Sequence, residues 1–528
     1  MALVRFNGCD DALRNLRAAA SSAIGAEGFA ASIGTRTPMA AGAVPGETAP
    51  LSGPATTAGN AAQAGQSSVG ARGSGQVGGG AAPGSYSGTN VATAGVDEPD
   101  LVKTDGRRIV TVTGGVLRVV DAQALQLTGV LDLSSGTDLG GLMPASLLLS
   151  GNHALVLFNP GVYGFGGPPV SAGAAGYGAP ADPSSPASSA NPAPAMPITG
   201  PRLVLVDLST AVPQIISEYT IDGTLVDARQ VSSVARVVVQ SMPRIYVPPV
   251  TAPSAQPGGA SYRTAIAQAR LSQWLPRYAL TTGQVRRTGS VGCASVSHPA
   301  SAAYSGNSML TVLTFDLSGV SLGDGQPVTV VADGDTVYSD GDSLYIASRQ
   351  WAAPDAAPQY TAVYKFNIAG PGRPVYEASG TVPGWLLGST GTAQYSLSAW
   401  NGALRVATTS YGATASGLEQ QQSAVYVLEQ VSNQMVIVGK VGGLGAGEQI
   451  YAVRFAGPAG YVVTFRQTDP LYTLDLSDPA QPRVAGELQL NGYSAYLYPV
   501  DATHMIGVGQ NATGLGQTTG TQISLFDV

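Results

Sequence analysis

The sequence predicts an all-β fold, a β-propeller of four-stranded blades, and three observations carry that prediction. Short runs of alternating apolar and polar residues recur along the chain, bounded by Gly, Pro, Asn and Asp. One type of run ends in an acidic or polar turn and is visible seven times: "GVLRVVDA" (115–122), "RLVLVDLS" (202–209), "MLTVLTFDLS" (309–318), "TAVYKFNI" (361–368), "SAVYVLEQ" (423–430), "PLYTLDLS" (470–477) and "TQISLFDV" (521–528). Uninterrupted copies are spaced about 45 to 60 residues apart, the length that one four-stranded blade needs. Helical patterns hardly interrupt the series, which disfavours a parallel α/β sheet. A simple sandwich would account for short strands but not for repetition at blade length.

The first segment, residues 1–33, holds a short strand-like "ALVRF" and then "DALRNLRAAASSA". Its Leu13, Leu16 and Ala20 fall near helical spacing, and Asp10 or Asp11 is expected to cap the helix. Residues 34–88 are Gly, Ala, Ser, Thr and Pro with almost no large apolar side chain, so they are read as a flexible, disordered linker. The propeller is assigned to 89–528, with insertions at about 159–200 and 243–307. Residues 35–85, 165–198 and about 248–260 are expected to be mobile, while "SYRTAIAQARLSQWLPRY" reads as a short amphipathic helix. Blade six shows all four strands: "QIYAVRFAG", "GYVVTFRQ", "PLYTLDLS" and "RVAGELQL". The seventh copy stops at Val528, at the end of a third strand. Either "ALVRF" supplies the missing fourth strand, or the native chain is longer and carries eight or more blades.

Charge narrows the partners. Only 11% of the 528 residues are charged, the net charge is −7, and there are three lysines, Lys103, Lys365 and Lys440. No basic block could track a phosphate backbone, so neither nucleic acid nor an anionic membrane is an expected partner. No apolar run of about 18 residues is present, so no transmembrane segment is expected. "MALVRFNGCDD" lacks the basic and apolar regions of an export signal, which leaves a cytosolic protein or a mature form with a new start codon. The two cysteines, Cys9 and Cys293, read from their count alone as buried thiols or as a pair.

The phrases "GTNVATAGVDEPDLVKTDGRRI", "LRVATTS", "GEQIYAVRF", "YVVTFRQTDPLYTLDLSDPAQP", "GYSAYLYPVDATHMIGVG" and "SLFDV" resemble secreted bacterial proteins with a carboxy-terminal β-propeller domain distantly related to WD repeats. The resemblance runs from about residue 86 to 528. It implies an extracellular or cell-surface location, although members usually begin with an export signal that this chain lacks. Members also usually run on past the "SLFDV" phrase. The family carries no general activity. Because an exported protein matures where disulfides persist, the resemblance implies that Cys9 and Cys293 are joined.

Signs of catalysis are sparse. His153, His298 and His504 lie more than a hundred residues apart, and no nucleophile elbow, His-Glu-x-x-His or P-loop motif occurs. "DGDTVYSDGDSLY", with Asp333, Asp335, Asp340 and Asp342, lacks the spacing of a calcium loop and reads as Asp-Gly turns. Asp97, Glu98 and Asp100 form an acidic cluster where the linker enters the first blade. Three such carboxylates need positive compensation. The first reading is an ion pair with Lys103, Arg107 or Arg108, and the second is a bound hard cation such as Ca2+. No other cofactor is expected. The functional expectation is an exported, non-enzymatic binding or scaffold module for a protein or cell-envelope partner. The alternatives are a hydrolase or oxidoreductase working at the central channel and an intracellular scaffold.

Overall fold

The computed structural model describes residues 2–24, 91–134, 145–159, 197–245, 247, 259–300, 308–353, 356–387, 392–413, 419–465, 469–490, 492–501, 503–513 and 518–528. The linker at 34–88 and most of the segments expected to be mobile lie outside them. Each of the seven repeated runs is a third strand. Blade one pairs Val102–Thr104, Arg108–Thr113, Val116–Asp121 and Gln126–Asp132 in antiparallel order. Blade six does the same with Gln449–Ala456, Ala459–Phe465, Asp469–Asp475 and Arg483–Leu490. Blades two and three begin at Ala145 and Thr224, and blades four and five begin at Thr336 and Leu397.

Strand alternation explains how the blades stack. Successive side chains point to opposite faces, so each central strand serves two interfaces. In blade three, Val237 and Val239 pack toward blade two with Leu155, Leu203 and Tyr219, while Val238 packs toward blade four with Ile346 and Tyr364. Blade six turns Val462 toward blade five, and Tyr461 and Val463 toward blade seven. Shared clusters of this kind join every consecutive pair from blades one and two to blades six and seven.

The inserted chain does structural work that the sequence pattern did not reveal. The hairpin of Arg277–Thr282 and Val285–Ser290 extends blade two to six strands. The expected single helix is α2 (Gly259–Gln268) followed by the short turn Leu271–Trp274 and then that hairpin. α1 (Cys9–Ser22) buries Ala12, Leu16, Ala19 and Ala20 in a cluster with Ile266, Trp274 and Met309. Neither Asp10 nor Asp11 is its N-cap: Gly8 holds that position at φ 133, and Asp11 instead accepts a hydrogen bond from the Asn7 N–H at 3.0 Å. Gly8 suits a dihedral that side chains disfavour.

Leu3–Arg5, inside "ALVRF", does not complete blade seven. It pairs with Val296–Pro299 at the outer edge of blade three, because α1 and the Cys9–Cys293 bond hold it there. Blade seven therefore has three strands among the described residues, Tyr493–Pro499, His504–Ala512 and Thr518–Asp527.

Candidate functional site at the propeller axis

The chain enters the propeller through residues 91–100, which cross the first strands of several blades. Asp97 exchanges backbone hydrogen bonds with Gln230 of blade three at 2.7 and 2.9 Å. Asp100 does so with Leu147 of blade two at 3.2 and 2.7 Å. Between and before them Val96 is buried, and the Thr93 hydroxyl donates to that of Tyr338 in blade four at 3.3 Å. A segment that is polar in sequence thus sits across the strands nearest the axis.

The three carboxylates of this segment part company. Asp97 accepts from Lys103 Nζ at 2.6 Å, and Lys103 is itself buried. Glu98 accepts from the Ala92 N–H and from Gln394 Nε2, both at 2.9 Å. Asp100 is exposed and accepts the Leu101 N–H at 2.7 Å. Arg107 and Arg108, the other expected partners, pair with Asp105 in the intervening Asp-Gly turn. Among the described residues no three His, Cys, Asp or Glu side chains come together as metal ligands, and these carboxylates do not fit a Ca2+ site. A cation needs several oxygens converging on one point, whereas these three face different partners.

Glu98 leads to a second, unanticipated set of residues. Gln394, whose amide N–H meets Glu98, accepts through its Oε1 from Arg229 Nη2. Arg229, on the first strand of blade three, is fully buried and also donates to Asp227 at 2.7 Å and to the Ala228 and Val337 carbonyls. A buried guanidinium needs such complete pairing, because an unpaired charge in the interior is costly. Next to Gln394 stands Tyr395, whose ring meets that of Tyr496 of blade seven edge to face at 5.8 Å. Burial pushes the Tyr395 hydroxyl up to about 12, with Tyr496 and Glu98 adding to the shift. Over the same ring, at 5.1 Å, lies the guanidinium of Arg454 from the first strand of blade six. An isolated Arg in an otherwise apolar first strand, "YAVRFAG", was the available sequence signal for Arg454, whereas Arg229 stands between Asp227 and Gln230 in "LVDARQV" and had none.

The other expected residues lie elsewhere. The structure bonds Cys9 to Cys293, with Cα atoms 5.5 Å apart. His153 Nδ1 meets the Leu317 carbonyl, His298 stacks on Phe6 at 4.3 Å, and His504 pairs with Asp501. Asp340 accepts the N–H groups of Asp342 and Ser343 around Gly341, as an Asp-Gly turn requires. A cleft of about 450 Å3 between blades one and two is lined by Arg107, Asp121, Thr128, Asn152 and Ser209, among others.

Comparison with known proteins places the fold. An uncharacterized protein of Archaeoglobus fulgidus is 41% identical over 152 residues, covering 29% of this chain and 21% of the relative. An uncharacterized protein of Methanocaldococcus jannaschii is 38% identical over 171 residues, covering 32% of this chain and 24% of the relative. The chain thus spans about a fifth to a quarter of the curated relatives it matches, and both are archaeal rather than bacterial. The profile of the beta propeller domain family matches residues 86–528. With that match over well over half its length, and seven successive blades among its described residues, the chain belongs to the beta propeller domain family.

Proposed function

We propose that the protein is an exported, non-enzymatic propeller that binds a protein or cell-envelope partner at the axis end where residues 91–100 lie. The observation that carries this reading is the internal pairing of the axis charges. Lys103 is held by Asp97, and Arg229 and Glu98 are tied together through Gln394. Buried pairs of this kind hold residues 91–100 in place as a preorganised surface, whereas a general acid or base would have to exchange protons with a substrate. Export is supported by the Cys9–Cys293 bond, since structural disulfides persist in oxidising compartments.

Sedimentation of the intact protein with isolated cell envelopes tests the binding role. Saturable binding that weakens on Gln394→Ala is the expected result. Turnover of an ester, glycoside or quinone substrate that Gln394→Ala or Tyr395→Phe abolishes would overturn it in favour of an enzyme. Recovery of the native protein from the culture medium or cell surface, with no thiol labelled before reduction, is expected for export. Recovery from the cytosol would contradict it.

A further inference from the structure

The cleft between blades one and two measures about 450 Å3. Sites for small ligands usually span about 300 to 1,000 Å3. Both of its walls are fixed. Arg108 bridges the two blades, donating to the Leu208 carbonyl at 3.0 Å, to the Asn152 side-chain oxygen at 3.2 Å and to the Gly151 carbonyl, while its Nε meets Asp105 at 3.0 Å. On the outermost strand of blade one, a Cβ at Gly129 would lie 2.8 Å from the Pro213 ring and 3.0 Å from the Ala211 carbonyl oxygen. The missing side chain lets the turn of blade two close against this strand. Thr128 and Ala211, on either side of that contact, line the cleft, which is therefore preformed.

Two side chains of opposite charge, Arg107 and Asp121, line this cleft without pairing with each other. The Ala122 N–H donates to the Arg107 carbonyl at 2.8 Å, so the two residues stand on adjacent strand ends. Arg107 approaches Asp105 at 3.7 Å, beyond hydrogen-bond length, and Asp105 is already held by Arg108 at 3.0 Å. The Arg107 side chain is 68% exposed. Asp121 accepts the Gln123 and Ala124 N–H groups at 2.9 and 2.7 Å through one oxygen, and it meets no cation among the described residues. Asn152, whose oxygen is taken by Arg108, keeps its amide N–H groups as donors. These charges narrow the ligand. Asp121 repels a simple anion, and Arg107 repels a simple cation. A saccharide is best held against an aromatic ring, and among the described residues no aromatic side chain lines the cleft.

We propose that this cleft binds the zwitterion of a free α-amino acid, with its carboxylate on the Arg107 guanidinium and its ammonium on Asp121. Asn152 supplies a further donor. Both contacts are charge-assisted hydrogen bonds, and a guanidinium matches the two oxygens of a carboxylate. Val119, Leu208 and Ala211 give the ligand's side chain an apolar wall. The site does not depend on the binding function proposed at the axis.

The test is isothermal titration calorimetry on the full chain, disulfide intact, with L-leucine as the probe at constant ionic strength. Saturable binding is expected. Isocaproate, which lacks the ammonium, and isoamylamine, which lacks the carboxylate, should each bind about tenfold more weakly or worse. Arg107→Gln and Asp121→Asn should each weaken leucine by about tenfold or more. Neither should lower the Tm, because Arg107 is exposed and an Asn side chain still accepts the Gln123 and Ala124 N–H groups. No saturable leucine binding, or binding unchanged in both variants, overturns the site. Isocaproate binding as tightly as leucine, and lost in Arg107→Gln, overturns the zwitterion in favour of a plain anion. Glucose binding that displaces leucine and fails in the same variants overturns it in favour of a saccharide.

Discussion

Blades six and seven are written in the same strand rhythm, yet they end in different environments. In blade six both faces are covered: Val462 and Leu474 pack toward blade five, and Tyr461, Val463 and Leu471 pack toward blade seven. Blade seven covers one face, with Leu497, Met505 and Phe526 against blade six. Its other face carries Tyr498, Ile506 and Leu525 in one cross-strand row, and Val508 with Ile523 in the next. Leu525 is 66% and Ile523 73% exposed. Blade one mirrors this on the face away from blade two, where Leu127 and Val130 are exposed. Among the described residues no core cluster joins blade seven to blade one. Alternation therefore encodes the capacity for two-sided burial, and a neighbouring blade determines whether that capacity is used.

The edges teach a related lesson. Blade two is lengthened by an inserted hairpin, and blade three is finished by Leu3–Arg5. Thr518–Asp527 is bare along one side among the described residues, and an unpaired strand edge is open to pairing with another chain.

The largest expected effect lies in the core of this comparison. Leu474→Ala in blade six should cost about 2 to 5 kcal/mol by chemical denaturation, and Leu525→Ala in blade seven within about 0.5 kcal/mol of zero. Equal losses would mean that the outer face of blade seven is covered. Next is reduction of Cys9–Cys293, for which the chain-entropy model sets a ceiling of about 5.6 kcal/mol and a loss of about 2 to 4 kcal/mol is expected. Limited proteolysis should then open residues 2–24 before any blade, leaving blade three with an edge as bare as that of blade seven. Protection unchanged by reduction would show that packing of α1 alone suffices. Asp97→Asn should cost up to about 3 kcal/mol, because Lys103 is buried and its partner would lose its charge. A neutral result would show that this ion pair does not hold the 91–100 segment.

The smallest effect is the acid response of the turns that close the strands. Asp132, Asp207, Asp316 and Asp475 are held below the ordinary carboxylate range by hydrogen bonds from the serine two residues on. Asp501 is held down at about 2 by the N–H of Thr503 and by His504. Depressed folded values stabilise the protein above the unfolded pKa of about 3.9, and that contribution is lost as pH falls through the folded values. Tm should therefore decline from about pH 4 downward. Replacing Asp207 and Asp316 with Ala should flatten that decline, and an unchanged profile would remove these turns as its cause.

Much of this architecture was legible from the chain because the third strands of blades two to six are buried on both faces and third strands end in a polar turn. "RLVLVDLS" and "PLYTLDLS" show both features, and the Asp-x-Ser turn is the hydrogen-bonded cap seen in the structure. The extra hairpin of blade two was not legible, because "RYALTT" and "VRRTGS" show little apolar alternation and the second is a polar edge strand. The role of "ALVRF" was missed for a different reason. Its partner, Val296–Pro299, lies almost three hundred residues away, and local pattern carries no information on such pairing. At the axis, the acidic cluster and Lys103 could be singled out from sequence by their proximity. Gln394 and Tyr395 could not, because they meet Glu98, Arg454 and Tyr496 only when the blades are assembled.

Amide hydrogen exchange on the full chain tests most directly the contrast between enclosed and open blades, and the axis position of 91–100. Asp97 and Asp100, bridged to Gln230 and Leu147, should exchange as slowly as the first strands they cross. Asp469–Asp475 of blade six should be slow, whereas Thr518–Asp527 of blade seven should be markedly faster. Protection of Thr518–Asp527 equal to that of blade six, together with rapid exchange at Asp97 and Asp100, would contradict the account.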